Sequence, residues 1–326
     1  MPIMQSTIET TEDECAGPPQ FKISHWGQDV DLIFIDVRSC RSASVEDVCQ
    51  NDLAPTLPPS IRRLFGGFLS ENPPPGCLGA INDPSRTMLG STQKALFKEA
   101  LLESTAKFKF VITPVAMQQL YVLPYDSWEG YGAERSEILN FIRDNDIKDV
   151  IFLTTDLHQN RMNEVFIDRF RDPTPIAYEF MTGPIAALTY QNTILGQFGP
   201  SGLVAYNTIL NILGLDCRHL NVYSYGSVNI DAASSIATVS LKDENGNIIH
   251  DQVNPSITCF KQFEAQGVGG EIQQQEQQNV QPIEGLATNQ GNPEFFSTFE
   301  ERNGFPEDMI KERSDRFRDE MTLFRK

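Results

Sequence analysis

Short apolar runs of strand period alternate along this chain with longer stretches whose apolar residues recur every three or four positions. Residues 21–25 (Phe-Lys-Ile-Ser-His) alternate, Gly27 marks a turn, and residues 31–37 (Asp-Leu-Ile-Phe-Ile-Asp-Val) read as a second strand. Residues 43–90 follow with Pro-Pro, Gly-Gly and Pro-Pro-Pro-Gly punctuation and read as an irregular insertion. Ser91 is placed to cap a helix over 92–104, in which Leu96, Ala100 and Leu101 share a face. Residues 108–113 are the next strand, 124–132 a loop, and 133–145 a helix with Ile138, Leu139 and Ile142 on one side. Val150 to Leu153 is a continuous apolar run, the pattern of a strand buried on both faces. Further on, 204–213 predicts a short apolar helix, and 222–230, 236–241 and 248–253 predict strands, with Asn245-Gly246 as a hairpin turn.

Strand and helix alternation of this kind makes an α/β protein. In such folds ligands bind beyond the carboxyl ends of the strands, so the polar residues that close each apolar run are the candidates for chemistry. Asp156 and His158 close the 150–153 run and are suited to metal ligation or acid–base work. Asp36 and Arg38 close the 31–37 run, where a salt bridge at the strand end that orients a site is the expected role. The 124–132 loop gathers Asp126, Trp128 and Tyr131, with Arg135 one turn into the helix behind it. His25, His219 and His250 read as surface or packing residues.

With 44 acidic against 26 basic residues the formal charge is -18, which disfavours general nucleic-acid binding. A small phosphate ester remains compatible if bound cations reverse the local field. The six cysteines show no Cys-x-x-Cys spacing and read as reduced thiols, although Cys40 and Cys49 are near enough to meet across a loop. No secretory signal or membrane-length apolar run is seen, so the default expectation is a cytoplasmic protein. Residues 1–20 read as an extended entry and 21–262 as the folded domain. Residues 263–304 read as a polar Gln-rich linker and 305–326 as an amphipathic helix.

Five segments in this order resemble the PhoD-like alkaline phosphatases. They are Phe-Ile-Asp-Val-Arg at 34–38, Leu-Gly-Ser-Thr-Gln-Lys at 89–94, Phe-Val-Ile-Thr-Pro-Val at 110–115, Asp-Ser-Trp-Glu-Gly-Tyr at 126–131, and Phe-Leu-Thr-Thr-Asp-Leu-His at 152–158. The resemblance covers about residues 20–235 and implies a metallophosphoesterase-like two-sheet sandwich flanked by helices, corresponding to the C-terminal half of that catalytic domain. It further implies metal-dependent hydrolysis of phosphate monoesters or phosphodiesters, with Asp156 and His158 as catalytic metal ligands. Trp128, Tyr131 and Arg135 are then expected near substrate, and Asp36, Arg38 and Asp126 in support. Iron and calcium are the cofactors the resemblance favours, with zinc or manganese as substitutes, and members of the family are often exported.

The chain departs from the family pattern in two ways. Thr155 stands where the metal segment usually has Gly, and a β-branched residue resists an unusual backbone turn. The family's upstream ligand segments have no counterpart before Asp36, so the N-terminal half of the domain is expected to be missing. The alternative expectation is therefore a catalytically inactive remnant acting as an interaction module, either as a homo-oligomer or with its missing N-terminal half.

Overall fold

The computed structural model describes Cys15, residues 20–66 and residues 68–265. The polar linker from 266 onward and the predicted terminal helix lie outside the described residues, as does the entry segment apart from Cys15 and Gln20. Two sheets form the body. The larger has seven strands in the order β1 (Lys22–Trp26), β2 (Val30–Phe34), β3 (Phe108–Ile112), β4 (Val150–Thr154), β6 (Ala177–Met181), β5 (Asn160–Val165) and β7 (Cys217–His219). Strands β2, β3, β4 and β6 are mutually parallel, while β1, β5 and β7 join antiparallel. The smaller sheet is antiparallel, in the order β10 (Phe260–Glu264), β9 (Ile236–Asp243) and β8 (Ser224–Asp231).

Register explains why the central strands are apolar throughout. Ile33, Val111 and Phe152 are cross-strand neighbours on one face, where they pack with Phe97 and Leu101 of α3 (Ser91–Glu103) and Ile138, Leu139 and Ile142 of α4 (Gly132–Asp144). On the other face Phe110, Ile151 and Tyr178 are neighbours and meet Ala237, Val239 and Leu241 of β9. One face is thus covered by helices and the other by the second sheet, so both must be dry.

Several sequence expectations are corrected. The six cysteines are not reduced thiols: they pair as Cys15–Cys40, Cys49–Cys77 and Cys217–Cys259. Cys40 and Cys49 therefore do not meet each other; each fastens a different loop. Cys49–Cys77 ties together the 43–90 insertion, which also carries two short helices, α1 (Pro59–Arg62) and α2 (Cys77–Ile81). Ser91 is the first helical residue of α3 and Gly90, at φ 76°, occupies the cap position. Residues 248–253 form isolated bridges and not a strand. Strand β5 carries Asn-Arg-Met-Asn-Glu-Val and has no apolar signature; its Arg161 is buried against Glu179 of β6 at 2.7 Å. The predicted boundary at 262 falls inside β10. Helix α5 (Tyr190–Leu213) begins well before the predicted 204 and contains a break at Gly199, which precedes Pro200.

Candidate functional site

The parallel strands end in register: Phe34 lies beside Ile112, Ile112 beside Leu153, and Thr154 beside Met181. Asp36 and Arg38, the segment that leads to Asp126, the Asp156–His158 turn and the segment before α5 therefore leave the sheet along one edge. Arg38 donates both guanidinium nitrogens to Asp126, at 2.6 and 3.1 Å, and its Nη2 lies 3.7 Å from Asp156 Oδ2. Arg41 also donates to Asp126. Two cations and two carboxylates thus form one partly exposed cluster.

The charges in it are unequally treated. At Asp126 burial opposes ionisation, but the hydrogen bonds from Arg38 and Arg41 prevail and hold the carboxyl below its ordinary value. Asp156 moves the other way: burial and then the Asp126 charge raise it, against partial relief from Arg38 and His158. At Asp36 burial is outweighed by Ser39, whose hydroxyl donates at 2.5 Å, and by the amides of Gln20, Arg38 and Ser39, so its carboxyl is also lowered. Asp36 closes the turn that presents Arg38.

His158 has one defined orientation. Its Nδ1 lies 2.7 Å from the Leu188 carbonyl, which can only accept, so Nδ1 carries the proton. In the neutral ring the lone pair is left on Nε2, the arrangement of a metal-ligating or proton-accepting histidine. The Tyr190 amide donates back to the His158 carbonyl at 2.8 Å and fixes the backbone as well. Asp156 and His158 both occupy the left-handed region, with φ of 76° and 52°. Thr155 does not, so the turn expected to strain a β-branched residue is carried by Asp156 next to it and by His158 further on. The Thr155 hydroxyl instead donates to the Pro114 carbonyl at 3.2 Å.

Trp128, Tyr131 and Arg135 are not placed where a substrate mouth needs them. Trp128 is fully buried and its Nε1 donates to Thr113 Oγ1; the Tyr131 hydroxyl donates to the Ser42 carbonyl at 2.7 Å. Arg135, equally buried, donates to the carbonyls of Met117, Phe166 and Ile167. Aromatic rings too costly to leave wet have turned inward, so the loop is a buried clamp that exposes Asp126. Gly130 is required in it, because a Cβ there would lie 2.7 Å from the Pro124 carbonyl.

Sequence reasoning gave no role to Arg41, Glu129, Asn160 or Leu188. Arg41 follows Arg38 by three residues, a weak sign of shared work. Glu129 is fully buried and accepts the amides of Leu120 and Tyr121 at 2.8 and 2.9 Å. Asn160 accepts the Gly183 amide and the Ser224 hydroxyl, which ties the β6–α5 segment to the second sheet. The Leu188 carbonyl is backbone and leaves no mark in the sequence.

Asp156 and His158 offer two donor groups suited to a cation, while Asp36 and Asp126 are engaged by other partners. Among the described residues no group of three or more His, Cys, Asp or Glu side chains is arranged to hold a metal ion. This donor set does not complete a metal centre of the dinuclear kind, which takes roughly six or more protein ligands.

A sheet with helices on one face, a second sheet on the other and charged residues at its carboxyl edge defines a layered α/β sandwich with a site at its strand ends. The family model of the PhoD-like phosphatases matches residues 1–241, and the chain belongs to that family. It is 30% identical over 98 residues to alkaline phosphatase D of Bacillus subtilis (strain 168), covering 26% of this chain and 16% of that protein. It also matches a solved structure titled "Structure of PhoD" with a TM-score of 0.50 and 16% identity, over 81% of this chain and 45% of that one. The chain therefore spans less than half the length of these relatives.

Proposed function

We propose that the chain supplies part of a metal-dependent site hydrolysing phosphate monoesters or phosphodiesters, with Asp156 and His158 as its contribution to metal binding. The observation that carries this reading is the pairing of Asp156 with a His158 whose Nδ1 is pinned by the Leu188 carbonyl, leaving Nε2 free. Family membership supports the phosphatase chemistry. Iron and calcium, or zinc or manganese in their place, are the cations for which we propose these ligands; the remaining ligands would come from outside the described residues. Arg38 and Arg41 hold Asp126 and steady Asp156. Trp128, Tyr131 and Arg135 act from beneath by fixing the loop that presents Asp126. The substrate in this proposal is a small phosphate ester, since a chain of formal charge -18 repels extended nucleic acid.

The test is hydrolysis of bis(p-nitrophenyl) phosphate by the purified chain with each metal added in turn, beside Asp156→Asn. Metal-dependent activity that falls more than about 100-fold in the variant supports the reading, since even residues that only orient a ligand cost about 10- to 100-fold. A second reading, an inactive module that works only with another chain or a second copy, is favoured by the engagement of Asp36 and Asp126. A folded chain inactive with all four metals would leave that reading standing. We further propose an oxidising compartment in place of a cytoplasmic one, supported by the three disulfides.

A further inference from the structure

The surroundings of the Asp156–His158 turn are apolar on two sides. Connected to it through Leu157 and Tyr190, between the 43–90 insertion and α5, lies a cleft of about 80 Å³ lined by Phe65, Phe68, Val122, Tyr190, Ile194 and Ala205. Tyr206 also borders it, with its hydroxyl engaged by Gln159 at 2.8 Å. Leu157, the residue between Asp156 and His158, packs on the same apolar cluster. Tyr190 belongs to both places: its ring lines the cleft and its amide holds the His158 carbonyl. Beside the turn, residues 185–188 (Ile-Ala-Ala-Leu) are four consecutive exposed apolar residues, with Ile185 80% and Leu188 62% exposed. They belong to the same segment whose Leu188 carbonyl fixes His158. An uninterrupted exposed apolar run is an error in a monomer's surface unless it has a use.

We propose that this apolar surface binds the alkyl or aryl group of the ester whose phosphate is received at Asp156 and His158, so that the substrates are esters of apolar alcohols. The inference rests on the proposed function for the position of the phosphate. The cleft is of a size for such a group: its volume is about half of an engineered cavity of about 150 Å³ that takes benzene. A few methylene groups or the edge of a ring fill it, and the rest of a longer group lies along residues 185–188. Apolar lining excludes sugars and polyols, whose hydroxyls would lose their hydrogen bonds there.

The test measures binding, not turnover, so it stands apart from the activity assay. The chain is titrated calorimetrically with ethyl, butyl and hexyl phosphate and with the matching alcohols. Affinity is expected to rise about fourfold per methylene while the cleft fills, in both series. Hexanol is expected to compete with hexyl phosphate. Ala205→Phe, which fills the cleft from α5, should flatten the dependence on chain length, and Val122→Phe should do the same from the opposite wall. Unfolding midpoints for both variants establish that they fold. Asp156→Asn should change the affinity for the phosphates and leave the slope per methylene intact. Affinity independent of chain length, or a slope unchanged in both folded filling variants, overturns the proposal. A steep slope with no effect of Asp156→Asn overturns the placement of the phosphate, and with it the assignment of the apolar group to a substrate at this turn.

Discussion

Asp156 carries a charge that the fold disfavours, because burial and the Asp126 carboxylate both raise its pKa. A carboxyl whose folded pKa lies above its unfolded value binds its proton more tightly in the native state. Its ionisation therefore opposes folding progressively as pH rises above the ordinary value of 3.8. Asp156→Asn is expected to raise the thermal midpoint at pH 7, with the gain disappearing below about pH 4; scanning calorimetry across that range checks it. An unchanged or lowered midpoint at pH 7 would contradict the electrostatics described. Such a gain with loss of function is the usual mark of a group kept for chemistry. Glu129 is the opposite case, a buried carboxyl kept for structure. Glu129→Ala would strand the amides of Leu120 and Tyr121, at a cost on the order of 2–4 kcal/mol in urea unfolding, with Glu129→Gln costing less. At this scale Asp156 and His158 were readable, because an apolar run closing in Asp-x-His places both at a strand end. The inward turn of Trp128 was not, since composition does not say which side of a loop meets the core.

Among the elements, β4 and α4 were readable because their periodicity and their burial have the same cause. Strand β5 was hidden because Asn160, Arg161 and Asn163 are buried among its few apolar residues, with Arg161 paired to Glu179, a partner distant in sequence. The extent of α5 was hidden by Gly199 and Pro200, which read as a loop and are a break between two helical segments. Gly199 has φ 65° and ψ -167°, a combination open essentially to glycine alone. Gly199→Ala is expected to cost about 1–3 kcal/mol in denaturant unfolding. Because Phe198 and Gly202 border the apolar cleft, the variant should also weaken binding of hexyl phosphate. A neutral substitution would show that the break is not needed.

For the whole molecule the disulfides carry the clearest consequence. Their bridges close separations of 25, 28 and 42 residues and fasten the Cys15 segment, the insertion and the β7–β10 region. Alkylation of the oxidised native protein followed by mass spectrometry should modify no cysteine, and full reduction should lower the unfolding midpoint. Loss of each bridge is expected to cost about 2–5 kcal/mol. Recovery of a free thiol from protein made in an oxidising compartment would contradict the pairing.

The sequence by itself determined the α/β class, the central apolar strands and the positions of Asp36 and Asp156 just past strand ends, because these follow from local periodicity and from where apolar runs stop. Tertiary structure alone decided which cysteines pair, which carboxylates stay free, which way the aromatic loop faces and that Tyr190, which holds the His158 backbone, also lines an apolar cleft. Those outcomes depend on contacts between residues tens of positions apart, whose geometry exists only once the sheets have packed.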